Sequence, residues 1–516
     1  MERTPANRDR VAGVAGKRIG SIAVVGGGTA GWIAASVLAR ALPGSGCAIT
    51  VVESPDIGTV GVGEATIPPI VDLLRFLSIN EADFVRHTQA TYKLGIRFSD
   101  WRRTGHSYWH PFGTFGDTIK LRPFYHAWQK AVAEGASLQV PDFSLCATLG
   151  EQGRFRFPDA SAGGPVAGLR YALHFDAGLV ARYLRAYAVK LAVTSLERTV
   201  AGATQRADGC IDELVFTDAS RLQADLYIDC SGFHGLLIEK TLQTGYVDWS
   251  SMLPCDRAVV VQTEGGAPRP PYTESIAHSA GWRWRIPLQH RNGNGYVYSS
   301  AHISDEAALG ELLRAPIGQT LTEPRVIRFV TGRRKLFWNR NCVALGLASG
   351  FLEPLESTSI HLVVSGVYKL LEHFPDLDFD QHNIDSYNTE LVHELERVRD
   401  FIVMHYCLTE RTDTPLWRHC SSMPVPDTLS EHIALYRSTG RIRHQAGDLF
   451  TDLSWFYILA GMGVTPASYD PLIDLVRPDK LRETLNALAG AVAAAARVAP
   501  SHDSHFATGG LHMSAL

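Results

Sequence analysis

The residues Gly26-Gly27-Gly28-Thr29-Ala30-Gly31 have the G-x-G-x-x-G spacing of a dinucleotide turn. The first glycine permits a tight turn, the second lets backbone approach a pyrophosphate, and the third lets helix and strand pack closely. The helix that follows offers N–H groups and a partial positive charge to the phosphates. Glu53 lies 22 residues beyond Gly31, at the end of the next apolar run. A carboxylate there can accept hydrogen bonds from ribose hydroxyls. The turn alone does not separate FAD from NAD. Two later segments bear on that choice: Leu226–Gly232, a strand running into small residues, and Ala344–Phe351, which contains Leu347. Three returns of one chain to a single dinucleotide site favour bound FAD over a dissociable nicotinamide.

A second chemical feature is a helix start. Thr358 and Ser359 open an apolar helix expected over Ile360–Phe374. Their backbone N–H groups precede any intrahelical acceptor, which makes an anion site.

These residues need elements to hold them. Ile19–Val25 reads as a buried strand, Ala30–Ala41 as a helix stopped by Pro43-Gly44, and Ile49–Val52 as a second strand. That order begins a doubly wound α/β sheet. Glu81 to Arg170 is irregular and aromatic-rich and reads as an inserted substrate region. Strand and helix signals return at Leu173–Val193, and Leu222–Asp229 and Val343–Leu347 are further strands. Residues 255–330 read as mostly strand, with turn signals at Gly265-Gly266 and Asn292-Gly293-Asn294-Gly295. Helices are expected at Ile360–Phe374, Thr389–Tyr406, Leu429–Tyr436 and Asp479–Val498. The expected fold is α/β: a Rossmann-type FAD-binding fold with an additional, mainly helical substrate-binding region. The FAD-binding domain is discontinuous, residues 18–80 and 171–358. The substrate-binding region takes 81–170 and 359–500, with a flexible arm at 1–17 and a tail at 501–516.

The chain has 516 residues, 45% apolar and 20% charged, with a net charge of −4. This is the composition of a soluble globular protein without the basic footprint of a nucleic-acid binder. The eight cysteines show no C-x-x-C spacing and read as reduced thiols of a cytoplasmic protein. No H-E-x-x-H or facial-triad spacing occurs among the histidines, so no metal is expected. The first residues lack a signal-like apolar run, and no stretch of about 18 apolar residues could span a membrane.

Three more segments resemble one family. Trp282-Arg283-Trp284-Arg285-Ile286-Pro287 matches the W-x-W-x-I-P signature of flavin-dependent halogenases. Gly61–Pro68, with Gly63, Glu64 and Ala65, looks like the family's flavin-proximal strap, and Phe351–Thr358 like its stretch beside the halide. The similarity runs from about Ser21 to Thr465 and is greatest to the tryptophan halogenases. The resemblance implies that reduced FAD and O₂ convert halide to hypohalous acid, which travels to a lysine and halogenates an electron-rich aromatic carbon. The matching lysine is Lys93; an ammonium can donate to the oxygen of the oxidant, and a neutral amine could be halogenated itself. The matching carboxylate is Glu356, placed to orient the oxidant and accept the ring proton, with Glu353 as second choice. Halide falls at Thr358 and Ser359, where the family usually has glycine at the second position. His110 and Phe112 match residues that sandwich the aromatic substrate, and Trp455 lines the same pocket. A separate reductase is implied as the source of reduced FAD, because no nicotinamide site is visible. The assembly is left open, a homodimer being one form.

The match fails in one region. Tryptophan halogenases clamp the amino acid's ammonium and carboxylate with tyrosines and acids, whereas the stretch Arg443–Tyr457 here is short and lacks the tyrosine pair and much of the acidic clamp. A zwitterion bound there would leave charges unpaired. The expected substrate is therefore another indole or a phenolic compound. Competing readings are an FAD aromatic monooxygenase and a flavoprotein that binds ligand without turnover.

Overall fold

The structure, a computed structural model, describes residues 18–55, 63–116, 118–445 and 447–507. Gly61 and Val62 of the strap, the arm 1–17 and residues 508–516 lie outside these.

The glycine turn sits where the sequence places it. Strand Ser21–Val25 is apolar on both faces because it lies inside a six-stranded sheet. It pairs in parallel with Ala48–Glu53 on one side and with Leu226–Asp229 on the other; Leu226–Asp229 in turn pairs with Cys342–Ala344. These are the three returns read from the sequence. Helix Thr29–Ala41 follows the turn, packed between the helices Ala177–Lys190 and Ser359–Glu372. That enclosure explains its nearly unbroken apolar sequence.

The region from Glu81 to Arg170 is more regular than its sequence suggests. It contains helices Glu81–His87, Phe124–Ala133 and Leu145–Glu151 and strands Thr91–Lys93, Gly95–Ser99 and Ser107–Pro111. The strands are short, and buried aromatics blur their alternation. Two of them extend a seven-stranded sheet through the pairing of Gly95–Ser99 with Thr273–Ala277. One sheet thus crosses the boundary drawn between the two regions. A small antiparallel sheet joins Glu64–Ala65, Ala172–Phe175 and Thr91–Lys93, so the end of the strap and Lys93 share one scaffold.

The Asn292–Gly295 turn signal is overturned. These residues lie inside strand Arg291–Tyr298, which is buried throughout. Gly295 sits directly opposite Trp284 in register, and a Cβ on it would meet the indole ring at 2.1 Å. The glycine seats a large cross-strand aromatic ring rather than a turn.

Beyond Thr358 the chain is helical, as expected, with Gln381–Cys407 the longest helix. Helix Asp452–Gly461 escaped the sequence reading because it is apolar on all sides and carries no periodic signal. Residues 501–507 are packed against the body: His502 is fully buried and accepts a hydrogen bond from Tyr92 N–H. Among the described residues no helix is long and apolar enough to cross a membrane.

Candidate active site

A cavity of about 670 Å³ runs from the glycine turn to the start of helix Ser359–Glu372. Gly26, Gly28, Thr29, Ala30 and Glu53 line one end, with Gly63, Glu64, Ala65 and Leu347 further along. Gly28 precedes the helix without a side-chain cap, and a Cβ on it would project into open space, where a bound phosphate would lie. The helix N–H groups therefore face the cavity unclaimed by side chains. Gly31 does not line it; a Cβ there would lie 1.8 Å from Gly26 O, the close packing expected of the third glycine. The Glu53 carboxylate lies over Gly27 and is held by Ser195 and Arg185. These features fit a dinucleotide such as FAD. Burial pushes the Glu64 carboxyl up to about 7.

The far end of the cavity is lined by Leu352, Pro354, Ser357 and Ser359. Thr358 is buried beneath it as the N-cap of the helix that Ser359 begins, and it makes no side-chain cap. The preceding Ser357 takes a left-handed conformation (φ 59°) that turns the chain into this helix.

Lys93 is fully buried. Its ammonium donates to Thr66 O at 2.9 Å and Ser357 Oγ at 2.8 Å and stands 5.4 Å from the Phe112 ring centre. Burial pushes its pKa down to about 7, partly offset by the Glu356 carboxylate, so both forms are populated near neutrality. Ser357 and Thr66 stand in segments already noted, but nothing in their spacing showed that they clamp this lysine.

Glu356 is also buried, and an imidazole stands at each oxygen. His110 Nδ1 lies 2.7 Å from Oε2, and His405 Nε2 approaches Oε1 at 2.8 Å, off the line of a well-directed hydrogen bond. Burial alone would raise this carboxyl, but the two imidazoles hold it well below the usual carboxylate range. His405 is itself held by the Tyr108 hydroxyl at 2.9 Å, and burial lowers its pKa. No sequence signal marked His405, which sits among buried residues in the last turn of helix Gln381–Cys407.

Glu353 does different work. Its Oε2 accepts from Trp282 Nε1 at 2.8 Å and Tyr406 OH at 2.6 Å, while burial raises the carboxyl to about 7. It anchors the first tryptophan of the W-x-W-x-I-P strand, and the second, Trp284, forms cavity wall.

The substrate-side residues are only partly assembled. His110 and Phe112 lie beside Glu356 and Lys93. Trp455 stands one ring further out, stacked on His432 at 4.1 Å and edge-on to Phe401. Phe401 and Phe450, stacked at 3.8 Å, fill the space between it and His110. Sequence reasoning passed over both phenylalanines.

A Rossmann-type sheet whose glycine turn opens on a cavity of this size is the architecture of a nucleotide-binding α/β protein. The tryptophan halogenase family model matches residues 21–478, and the chain belongs to that family: it is a flavin-dependent halogenase. The structure is similar to BrvH, a flavin-dependent halogenase from Brevundimonas sp. BAL3, with 43% identity, a TM-score of 0.92 and coverage of 95% of this chain and 99% of that one. A flavin-dependent halogenase from Xanthomonas campestris is 42% identical, with a TM-score of 0.90 over 94% and 97% of the two chains. The sequence is 35% identical to tryptophan 7-halogenase RebH of Lentzea aerocolonigenes over 92% of this chain and 95% of that protein.

Proposed function

We propose that the enzyme installs chloride or bromide on an electron-rich, non-zwitterionic aromatic compound, an indole or a phenol, using hypohalous acid held at Lys93. The observation that carries this reading is the buried Lys93 ammonium, clamped by Thr66 O and Ser357 Oγ at the helix start that ends the cavity. FAD would be held by the glycine turn, Glu53 and the strap, and in its reduced form with O₂ it supplies the oxidation of halide to hypohalous acid. Halide would be bound by the N–H groups at Thr358 and Ser359. Lys93 donates to the oxygen of the oxidant and leaves the halogen open to attack by an aromatic carbon. Trp282 and Trp284 keep the substrate away from the flavin.

The substrate class follows from the charges around the aromatic rings. Asp448 accepts from Gln445 N–H and contacts His393, and Arg443 contacts Glu431. Asp448 and Arg443 are thus engaged by His393 and Glu431 of neighbouring helices instead of forming an acid–base pair for an amino acid. Reduced FAD comes from a separate reductase in this reading.

The test is incubation with a flavin reductase, chloride or bromide, and a panel of indoles, phenols and tryptophan, read by mass spectrometry. Halogenated indole or phenol is expected, and Lys93→Ala should abolish it while flavin stays bound. Oxygen insertion without halogen would establish a monooxygenase instead, and tryptophan turnover equal to that of indole would remove the substrate assignment. Ser359 adds a Cβ and a hydroxyl beside the halide; Ser359→Gly should shift the chloride-to-bromide product ratio, and an unchanged ratio removes that role.

A further inference from the structure

We infer that Trp284, Trp282 and Tyr406 form an electron relay from the protein interior to the flavin cavity, and that Glu353 receives the phenolic proton when Tyr406 is oxidised. The inference depends on the bound flavin and not on which aromatic compound is halogenated.

The relay starts at the cavity wall. Trp284 lines the cavity, whereas Trp282, Trp101, Tyr406 and Glu353 lie buried behind it. The Trp282 ring centre stands 5.9 Å from that of Trp284. Trp101 bridges the next gap, at 6.2 Å from Trp282 and 5.3 Å from Tyr406. A second link is polar: Trp282 Nε1 and Tyr406 OH donate to the same oxygen of Glu353, Oε2, at 2.8 and 2.6 Å. Indole and phenol give up one electron more readily than other aromatic rings, and rings this close exchange electrons without a change of fold.

Packed aromatic rings do not require a carboxylate among them, and this one is costly to bury. Its Oε1 has no hydrogen-bond partner among the described residues, and burial raises the group to about 7, so it takes up a proton easily near neutrality. Tyr406 supplies that proton. A phenol that has lost an electron is strongly acidic, and its hydroxyl already points at Oε2 within the reach of direct proton transfer. Trp417, stacked on Tyr406 at 5.9 Å, instead donates its N–H to the His278 backbone carbonyl, which is no base. The oxidised site therefore settles on Tyr406.

Trp284 gives one electron to oxidised flavin that light has excited. Trp282 refills Trp284, and Tyr406 refills Trp282. Both indoles end as they began. Tyr406 has lost one electron and its phenolic proton and is a neutral radical, Glu353 is a neutral acid, and the electron rests on the flavin. Return of the electron and the proton to Tyr406 restores the starting state.

The test uses the full-length enzyme loaded with oxidised FAD, without oxygen, halide or substrate, and a pulse of blue light. Transient absorption and electron paramagnetic resonance should show a tyrosyl radical in wild type. Tyr406→Phe should lose that signal and leave a tryptophan radical. Glu353→Gln keeps an oxygen that accepts from both donors but cannot take a proton; it too should lose the tyrosyl signal and keep the tryptophan one. Trp282→Phe interrupts the relay and should lose the tyrosyl signal. No tyrosyl radical in wild type, or its survival in Tyr406→Phe or Trp282→Phe, overturns the relay. Its survival in Glu353→Gln overturns the role given to the carboxylate. None of these readings depends on halogenation, so failure of the enzyme to halogenate an indole or a phenol would remove the proposed substrate class and leave the relay to be judged by its radicals.

Discussion

Replacing Lys93 by methionine should change stability in a pH-dependent way that reports the burial of its ammonium. In the folded enzyme Lys93 titrates at about 7, against an ordinary 10.5, because burial disfavours its charge. At about 1.4 kcal/mol per unit, the whole shift corresponds to about 5 kcal/mol. The unfolded chain holds this proton up to its ordinary pKa, whereas the folded chain releases it near neutrality. Below pH 7 the lysine therefore opposes folding by a constant amount, and between the two values that cost fades as pH rises. Methionine has no such slope. It does leave Thr66 O and Ser357 Oγ without their donor, but that loss is independent of pH and cancels from the difference in slope. The stability of Lys93→Met minus that of wild type should therefore fall by about 3 kcal/mol from about pH 7 to about pH 9.5. Urea unfolding at fixed flavin concentration, with both proteins measured across that range, reads the difference directly. A difference that stays flat, or rises with pH, would refute the claim that burial brings the Lys93 pKa down to about 7.

Three further outcomes are expected. Gly295→Ala should displace the Trp284 ring from the cavity wall, since the new Cβ would lie 2.1 Å from it; flavin affinity, measured by fluorescence titration, should weaken about tenfold or more, the equivalent of about 1.4 kcal/mol. Phe450→Ala removes a buried ring at a cost of about 3–5 kcal/mol, and it opens the chamber beside His110; KM for bulky substituted indoles should fall relative to indole, and an unchanged ratio would show that Phe450 does not limit access. His502 is held neutral to about pH 4 by burial, while the unfolded side chain protonates near 6.5. Wild type should therefore lose up to about 3 kcal/mol on acidification between these values, visible as a falling Tm, and His502→Gln should lose less over the same range.

The legible parts of this protein were those where function and local sequence coincide. The glycine turn and the start of helix Ser359–Glu372 use backbone groups within a few residues, and Glu53 ends the strand next to the turn, so spacing carries the geometry. The W-x-W-x-I-P strand was equally visible, though not its reasons: the bond from Trp282 to Glu353 and the seat that Gly295 gives Trp284 join distant segments. The Asn292–Gly295 stretch misled because glycine and asparagine favour turns locally, while here a ring across the sheet demanded the missing Cβ.

By itself the sequence determined an α/β fold with a glycine turn and, through resemblance, a flavin-dependent halogenase, and it singled out a helix start, a lysine and a carboxylate as candidates for its site. Only the tertiary structure decided the electrostatics of that pair. It buried Lys93 between the strap sheet and Ser357, brought His110 to Glu356 across 246 residues, and set His405 at the other oxygen. A side chain's pKa and tautomer depend on what surrounds it in space, and residues that meet only after folding leave no periodicity or spacing by which that meeting can be read.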